Sequence, residues 1–332
     1  PAEIFAEHSR LSAYRNDGRR DFDIGAHAEI DRQAYDGLQP FQWPQRSGER
    51  TETKRFFADG RFFTADRRAR FVPLSGKVPD RREPAYPFTL NTGRIRDHWH
   101  TMTRTGKAAR LSSHLAEPFA ELHPEDAADL GIAPAELVRL TSSTGEALVR
   151  ALVTDRQQPG SIFVPMHWTD QFSSKGRIDT LVQGRTDPHS GQPASKNSRV
   201  RAERFVASAY AFAILAEKPS AIPADYWALA RCNGGFRAEI ATSGDAPDWA
   251  SLLKAWCKNP DAEMLSYRDS HSGEERFALF SGPRLLGAIF VALSPVAVSR
   301  SWAAGLLEIT HEDTRQRFAV IAGKAGAGQP DK

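Results

Sequence analysis

Residues 92–101 place one glycine, two arginines, two histidines, a tryptophan and two threonines in ten positions: Thr92-Gly93-Arg94-Ile95-Arg96-Asp97-His98-Trp99-His100-Thr101. That set suits an anionic, ring-bearing ligand. Gly93 lets the backbone approach a ligand with no Cβ in the way. Thr92 and Thr101 offer hydroxyls, and Arg94 offers a planar fork that fits a phosphate. Trp99 offers a flat face and one N–H donor. His98 and His100 are two residues apart, so on a strand they share a face, as a metal pair would. No third ligand stands near them in sequence, and no metal site is expected.

The elements that must carry this cluster can be read around it. Tyr86-Pro87-Phe88-Thr89-Leu90 precedes it, so the cluster is expected to leave the end of a strand. A helix is expected from His123, with Pro124 in its first turn, acids early and Gly131 after its end. Leu137–Thr141 and Glu146–Val153 alternate as strands around a turn at 142–145, and a turn at Gln158-Pro159-Gly160 leads into Ile162–Pro165. Short strands joined by tight turns predict a β-rich barrel over 84–206. A linker is expected at 207–225, although Phe205–Leu215 is apolar enough for a strand or a linking helix. A small α+β module follows at 226–324. It has a helix capped by Asp248, with Trp249, Leu252, Leu253 and Trp256 on one face. Then come a meander through 263–293 and a last helix near Trp302, Leu306 and Leu307. Ahead of the barrel, residues 1–83 are polar and weakly periodic, with a short hairpin expected where Phe56-Phe57 and Arg61-Phe62-Phe63-Thr64 flank Asp59-Gly60.

The signature is specific. Thr92-Gly93-Arg94 followed by His98-Trp99-His100-Thr101 resembles the dinucleotide-binding signature of molybdopterin oxidoreductases of the dimethyl sulfoxide reductase family. It is most similar to the assimilatory and periplasmic nitrate reductases. The resemblance continues in order through Glu121–Ala127 with Leu130-Gly131-Ile132, through Ile162–Trp168, and through Asp187-Pro188-His189-Ser190 with Lys196. Upstream, Gln42-Trp43-Pro44 and Arg61-Phe62-Phe63 also resemble the assimilatory branch.

This resemblance implies a double-psi β-barrel that binds a bis-molybdopterin guanine dinucleotide cofactor. It assigns Thr92, Gly93, Arg94, His98, Trp99, His100, Thr101, Asp187 and Lys196 to the cofactor, and Met166 and His167 to a substrate funnel. Thr92, His98, Asp187 and Lys196 are expected to face a common cleft. A carboxylate at Asp187 could accept N–H groups from a pterin or guanine edge, and Lys196 could meet a phosphate. Family members usually carry an asparagine where this chain has Lys175 or Gln183, and that contact is left unassigned. No residue here is assigned as catalytic. The implied reaction is reduction of nitrate to nitrite, with electrons from ferredoxin, flavodoxin or an NADH-linked reductase subunit. The iron–sulfur cluster and molybdenum thiolate of the family have no counterpart in these residues. The chain is therefore expected to be a C-terminal portion, inactive alone, with 1–83 the tail of an upstream domain and 325–332 a flexible end. Formate dehydrogenase or sulfoxide reductase chemistry, or a non-catalytic remnant, are the alternatives.

Composition agrees with this reading. A net charge of +3 in 332 residues gives no support to nucleic-acid binding. Arginine pairs such as Arg19-Arg20 read as solvated surface. Two cysteines, Cys232 and Cys257, exclude a disulfide-rich scaffold and fit a reducing compartment. No run of eighteen apolar residues exists, so no membrane span is expected. No secretory signal is read at the start, and a cytoplasmic location is expected.

Overall fold

A computed structural model describes residues 1–49, 55–71, 84–188 and 190–323. The chain divides into two compact units, 1–77 and 78–332.

In the first unit, α1 (Ala2–Ala13) and α2 (Arg32–Asp36) are its two α-helices among the described residues. The side chain of Asn16 accepts from Arg20 N–H and donates to Asp23, which knots the turn after α1. The expected hairpin at 56–64 does not form. Asp59-Gly60 does turn, with Gly60 at φ +72° and Asp59 Oδ1 accepting from Arg61 N–H. The flanks do not pair as strands. Instead Phe57 takes φ +61° and stacks on Phe62 at 4.8 Å between centroids. Two strands without a third or a covering helix have too little to bury. Ile4, Leu11, Tyr14 and Phe71 are exposed.

In the second unit, six strands close the expected barrel in the order β1-β5-β2-β4-β3-β6. They are β1 (Phe88–Gly93), β2 (Phe119–Leu122), β3 (Leu137–Thr141), β4 (Glu146–Val153), β5 (Ser161–Pro165) and β6 (Ser198–Phe205). Alternation points Leu90, Val138, Leu140, Val149, Ile162 and Val200 inward, all fully buried. Two short helices accompany the barrel, α3 (Ala109–Ser112) and α4 (Pro124–Asp129). His123 caps α4 with its ring Nδ1 accepting from Glu125 N–H. Gly131 follows at φ +64°, a left-handed position that favours glycine.

Residues 209–215 lie within the stretch expected as a linker, but they form β7 (Ala209–Leu215), a fully buried strand inside a second sheet. That antiparallel sheet also holds β8 (Tyr226–Cys232), β9 (Gly235–Thr242), β10 (Glu263–Asp269), β11 (Glu274–Ser281) and β12 (Arg284–Ala292), ordered β10-β11-β12-β7-β9-β8. Ala211, Ala213 and Leu215 of β7 face α5 (Trp249–Cys257), where Trp249, Leu253 and Trp256 fill the layer. Phe212 and Ile214 face the other side, under α6 (Arg300–Gly305) and α7 (Thr314–Ala322). Burial on both faces explains why β7 reads as a continuous apolar run with no alternation.

Barrel and sheet are joined by a partly buried ionic network. Arg150 of β4 donates to Glu117 at 2.9 Å, and the Tyr226 hydroxyl donates to the same carboxylate at 2.6 Å. Glu239 of β9 accepts a two-pronged pair from Arg300 at 2.7 and 2.9 Å. It also lies 3.8 Å from Arg150. Burial opposes the Arg150 charge, but Glu117, Tyr226 and Glu239 more than offset it and raise its pKa. The barrel also closes the open edge of β8. Ser174 N–H donates to the Trp227 carbonyl, and Leu229 N–H donates to that of Phe172, both at about 2.9 Å or less.

Candidate functional site

Strand directions bring three separated segments to one end of the barrel. β1 and β5 run parallel, with Gly93 opposite Pro165, so the segments after both strands leave from the same end. β6 runs antiparallel to β1, with Ser198 opposite Leu90, so the residues just before β6 arrive at that end too. The signature 92–101, the segment 166–168 and Lys196 therefore converge, although they lie far apart in sequence.

Gly93 sits at the strand-to-loop junction, and its carbonyl accepts from Met166 N–H at 2.9 Å. Its φ is not in the left-handed region, so backbone freedom is not the reason for glycine here. Close approach is. A Cβ at this position would stand 3.1 Å from the Phe163 ring and 3.8 Å from Lys196 Nζ. The left-handed residues of the loop are instead His100 at φ +44° and Met102 at φ +58°. They fold 94–103 back on itself, and Met102 N–H donates to the Trp99 carbonyl.

The loop exposes some of its chemistry and buries the rest. Arg94, Trp99, His100 and Thr101 are exposed. The Arg94 guanidinium lies over the Trp99 ring at 4.6 Å, a cation–π pair that holds both side chains at the surface. Thr101 shares a hydrogen bond with Thr103. Arg96 is paired with Asp97, which also meets His114. Thr92 and His98 are buried, at 4% and 5% exposure, so the expectation that they face a common cleft does not hold. Thr92 points into the barrel because alternation along β1 sends Leu90 and Thr92 the same way. His98 packs edge-on against Trp168 at 5.4 Å, and its Nε2 meets the Leu115 carbonyl at 3.3 Å. Burial lowers its pKa.

His167, read as a wall of a substrate funnel, is fully buried and holds the loop instead. Its Nδ1 lies 2.7 Å from the His100 carbonyl, and its Nε2 lies 2.9 Å from Ile95 N–H. A carbonyl only accepts, so Nδ1 carries the proton and Nε2 accepts. Both nitrogens are thus engaged with the loop backbone, and the ring is neutral. Burial lowers its pKa, against the pull of the His100 carbonyl, and the neighbouring His98, Arg94 and His100 lower it further. Met166 is half-buried beside the barrel core.

The third segment is less engaged. Lys196 is exposed, with its ammonium beside Gly93. Asp187 is exposed as well, but its Oδ1 accepts from both Ser190 N–H and Ser190 Oγ, so the carboxylate stabilises its own turn. Lys175 is paired with Glu146 at 2.9 Å. Among the described residues the Gln183 amide donates to the Ser143 hydroxyl at 3.4 Å. Sequence reasoning passed over Phe163, which forms the floor beside Gly93. It also passed over Thr105, whose hydroxyl meets His98 and accepts from Trp99 N–H. An alternating strand gives no sign that Phe163 would face this end.

Comparison with known proteins places these residues in context. The model of the molydopterin dinucleotide binding domain matches residues 88–199, the barrel and its loops. A nitrate reductase of Klebsiella oxytoca is 35% identical over 98% of this chain and 37% of its own length. A nitrate reductase of Shewanella frigidimarina is 35% identical over 59% of this chain and 23% of its own length. The F420-dependent formate dehydrogenase subunit alpha of Methanocaldococcus jannaschii is 34% identical over 39% of this chain and 19% of its own length. The chain thus spans well under half the length of the curated relatives it matches.

Proposed function

Because the chain contains the molybdopterin dinucleotide-binding domain of molybdopterin oxidoreductases, we propose that its barrel end holds the guanine dinucleotide part of a bis-molybdopterin cofactor in an assimilatory, cytoplasmic nitrate reductase. The observation that carries this reading is the cradle at Gly93. Three segments meet there, a Cβ would crowd it, and an ammonium flanks it. The donor set fits the group. Lys196 and Arg94 supply positive charge for a pyrophosphate, Thr101 supplies a hydroxyl, and Trp99 supplies an exposed ring face. When bound, the cofactor supplies the two-electron oxygen-atom transfer that converts nitrate to nitrite.

The protein's own part is orientation and shielding. Gly93 admits the ligand to the backbone. Lys196 and Arg94 balance its charge. His167 fixes the loop by holding Ile95 N–H and the His100 carbonyl, and Trp168 and His98 seal the space beneath. Electrons come from a ferredoxin, flavodoxin or NADH-linked reductase subunit. Nitrate is favoured over formate as substrate by the 98% coverage in the Klebsiella oxytoca comparison.

The test is an order of damage in the full-length enzyme. Gly93→Val should abolish cofactor loading, because it places carbon where the ligand and Phe163 meet. Arg94→Ala should weaken loading about tenfold or more, since one charge-assisted hydrogen bond contributes about 1.5–3 kcal/mol. His271→Ala, in the second sheet's turn, should leave loading unchanged. Pterin released per mole of protein reads all three. Equal losses in His271→Ala and Gly93→Val would refute the assignment. Viologen-driven turnover of nitrate against formate separates the two substrates, and this chain alone should turn over neither.

A further inference from the structure

A cavity of about 420 Å³ lies between the segment around α3 and the second sheet, beside the β8–β9 turn and α6. It shares no residue with 92–101, Asp187 or Lys196. Four guanidinium groups line it, Arg110, Arg231, Arg237 and Arg300, against one carboxylate, Glu308. Arg300 is neutralised by its two-pronged bond to Glu239. The other three are not paired with any carboxylate among the described residues. Arg231 lies over the Phe236 ring at 4.8 Å, and Arg110 is exposed.

Arg237 is the informative one. It is 8% exposed, and its Nη2 donates to the Ser112 carbonyl, yet its Nε has no hydrogen-bond partner. Glu239 and Glu117 act on it only from beyond ion-pair distance, and a buried guanidinium with an unmade bond is costly. Three unpaired guanidinium groups against one exposed carboxylate leave two positive charges at one cavity. An Arg fork matches the oxygens of a phosphate in geometry as well as charge. The volume exceeds what a bare ion needs, and Ala109, Ala304 and Gly305 give part of the wall an apolar character.

We propose that this cavity binds a phosphate group, free or as the end of a small organic phosphate, through Arg110, Arg231 and Arg237. The site is independent of the cofactor cradle, so the two readings fail separately.

Isothermal titration of the purified protein at pH 8 and physiological salt, with inorganic phosphate, glycerol 3-phosphate and AMP as probes, tests it. Saturable one-to-one binding of at least one probe is expected. Arg110→Ala and Arg231→Ala should each weaken it about tenfold, the scale of one charge-assisted hydrogen bond. Both residues are exposed, so the fold should survive, and an unchanged melting temperature checks this. Arg237→Lys keeps the charge but loses the fork, and should also weaken binding. Lys254→Ala, on α5, should leave it unchanged. Tighter binding of an organic phosphate than of inorganic phosphate assigns the cavity to a small metabolite. The reverse order assigns it to the free ion. Absence of saturable binding with all three probes, or equal affinity in Arg110→Ala, Arg231→Ala and the parent, overturns the proposal.

Discussion

Replacing His167 with alanine should loosen the signature loop more than any surface change. The ring is fully buried and bonds the loop at two points. Without it, Ile95 N–H is half-buried and has no acceptor, at a cost of about 1–3 kcal/mol. The His100 carbonyl is on an exposed residue and can turn to water, so its loss adds little. The space left by the ring adds more, and the sum is about 2–4 kcal/mol. Acid should reproduce part of this. The folded pKa of His167 is lowered from 6.5, so its contribution is complete above that value and is lost as pH falls through the folded pKa. Protonation puts an N–H where Nε2 must accept from Ile95. His98 is shifted the same way, so the difference between parent and His167→Ala isolates one ring. Denaturant unfolding at pH 8, 7, 6 and 5 gives that difference, and hydrogen exchange at Ile95 N–H localises it. A destabilisation under about 0.5 kcal/mol, or one that does not shrink as pH falls, would refute the staple.

Two further changes test other joints. Gly106→Ala places a Cβ 2.6 Å from the Phe172 ring and 3.3 Å from Met102 Cβ. It should cost about 1–3 kcal/mol, read by denaturant midpoint, unless the ring swings away. Glu239→Gln removes one charge from the network with Arg150 and Arg300. It should destabilise the protein by about 3 kcal/mol or more, while a second change, Arg300→Met, should recover part of the loss.

The local features were legible in the sequence, and the reasons are physical. Proline, glycine and acids at the ends of 123–131 marked α4. Alternation marked β3, and the turns at 142–145 and 158–160 marked the starts of β4 and β5. The unusual residue set at 92–101 marked a loop at a strand end, and Gly93 lies at that junction. What could not be read depends on partners distant in the chain. His98 and His167 looked like ligand groups because their types are reactive, but the Leu115 carbonyl and Thr105 hydroxyl occupy the nitrogens of His98, and loop backbone groups occupy those of His167. Glu117 and Arg150 are 33 residues apart, and Glu117 and Tyr226 are 109 apart, so no periodicity announces the network. β7 was ambiguous because a strand buried on both faces carries no alternation. At 56–64 the turn chemistry was correct, but nothing supplied the strands with a surface to cover.

The closed edge of β8 has a consequence for how this unit comes apart. Phe172–Ser174 completes a hydrogen-bond ladder that starts in one sheet and ends in a loop rooted in the other. A free edge would fray independently and could recruit a strand from another chain. Here opening the ladder requires the loop to let go first, and that loop is continuous with His167 and Trp168. Amides at Ser174, Trp227 and Leu229 should therefore exchange as one cooperative group with Ile95. Thermal motion that frays the second sheet would reach the signature loop by this route, through main-chain bonds at the β8 edge and then through the His167 ring.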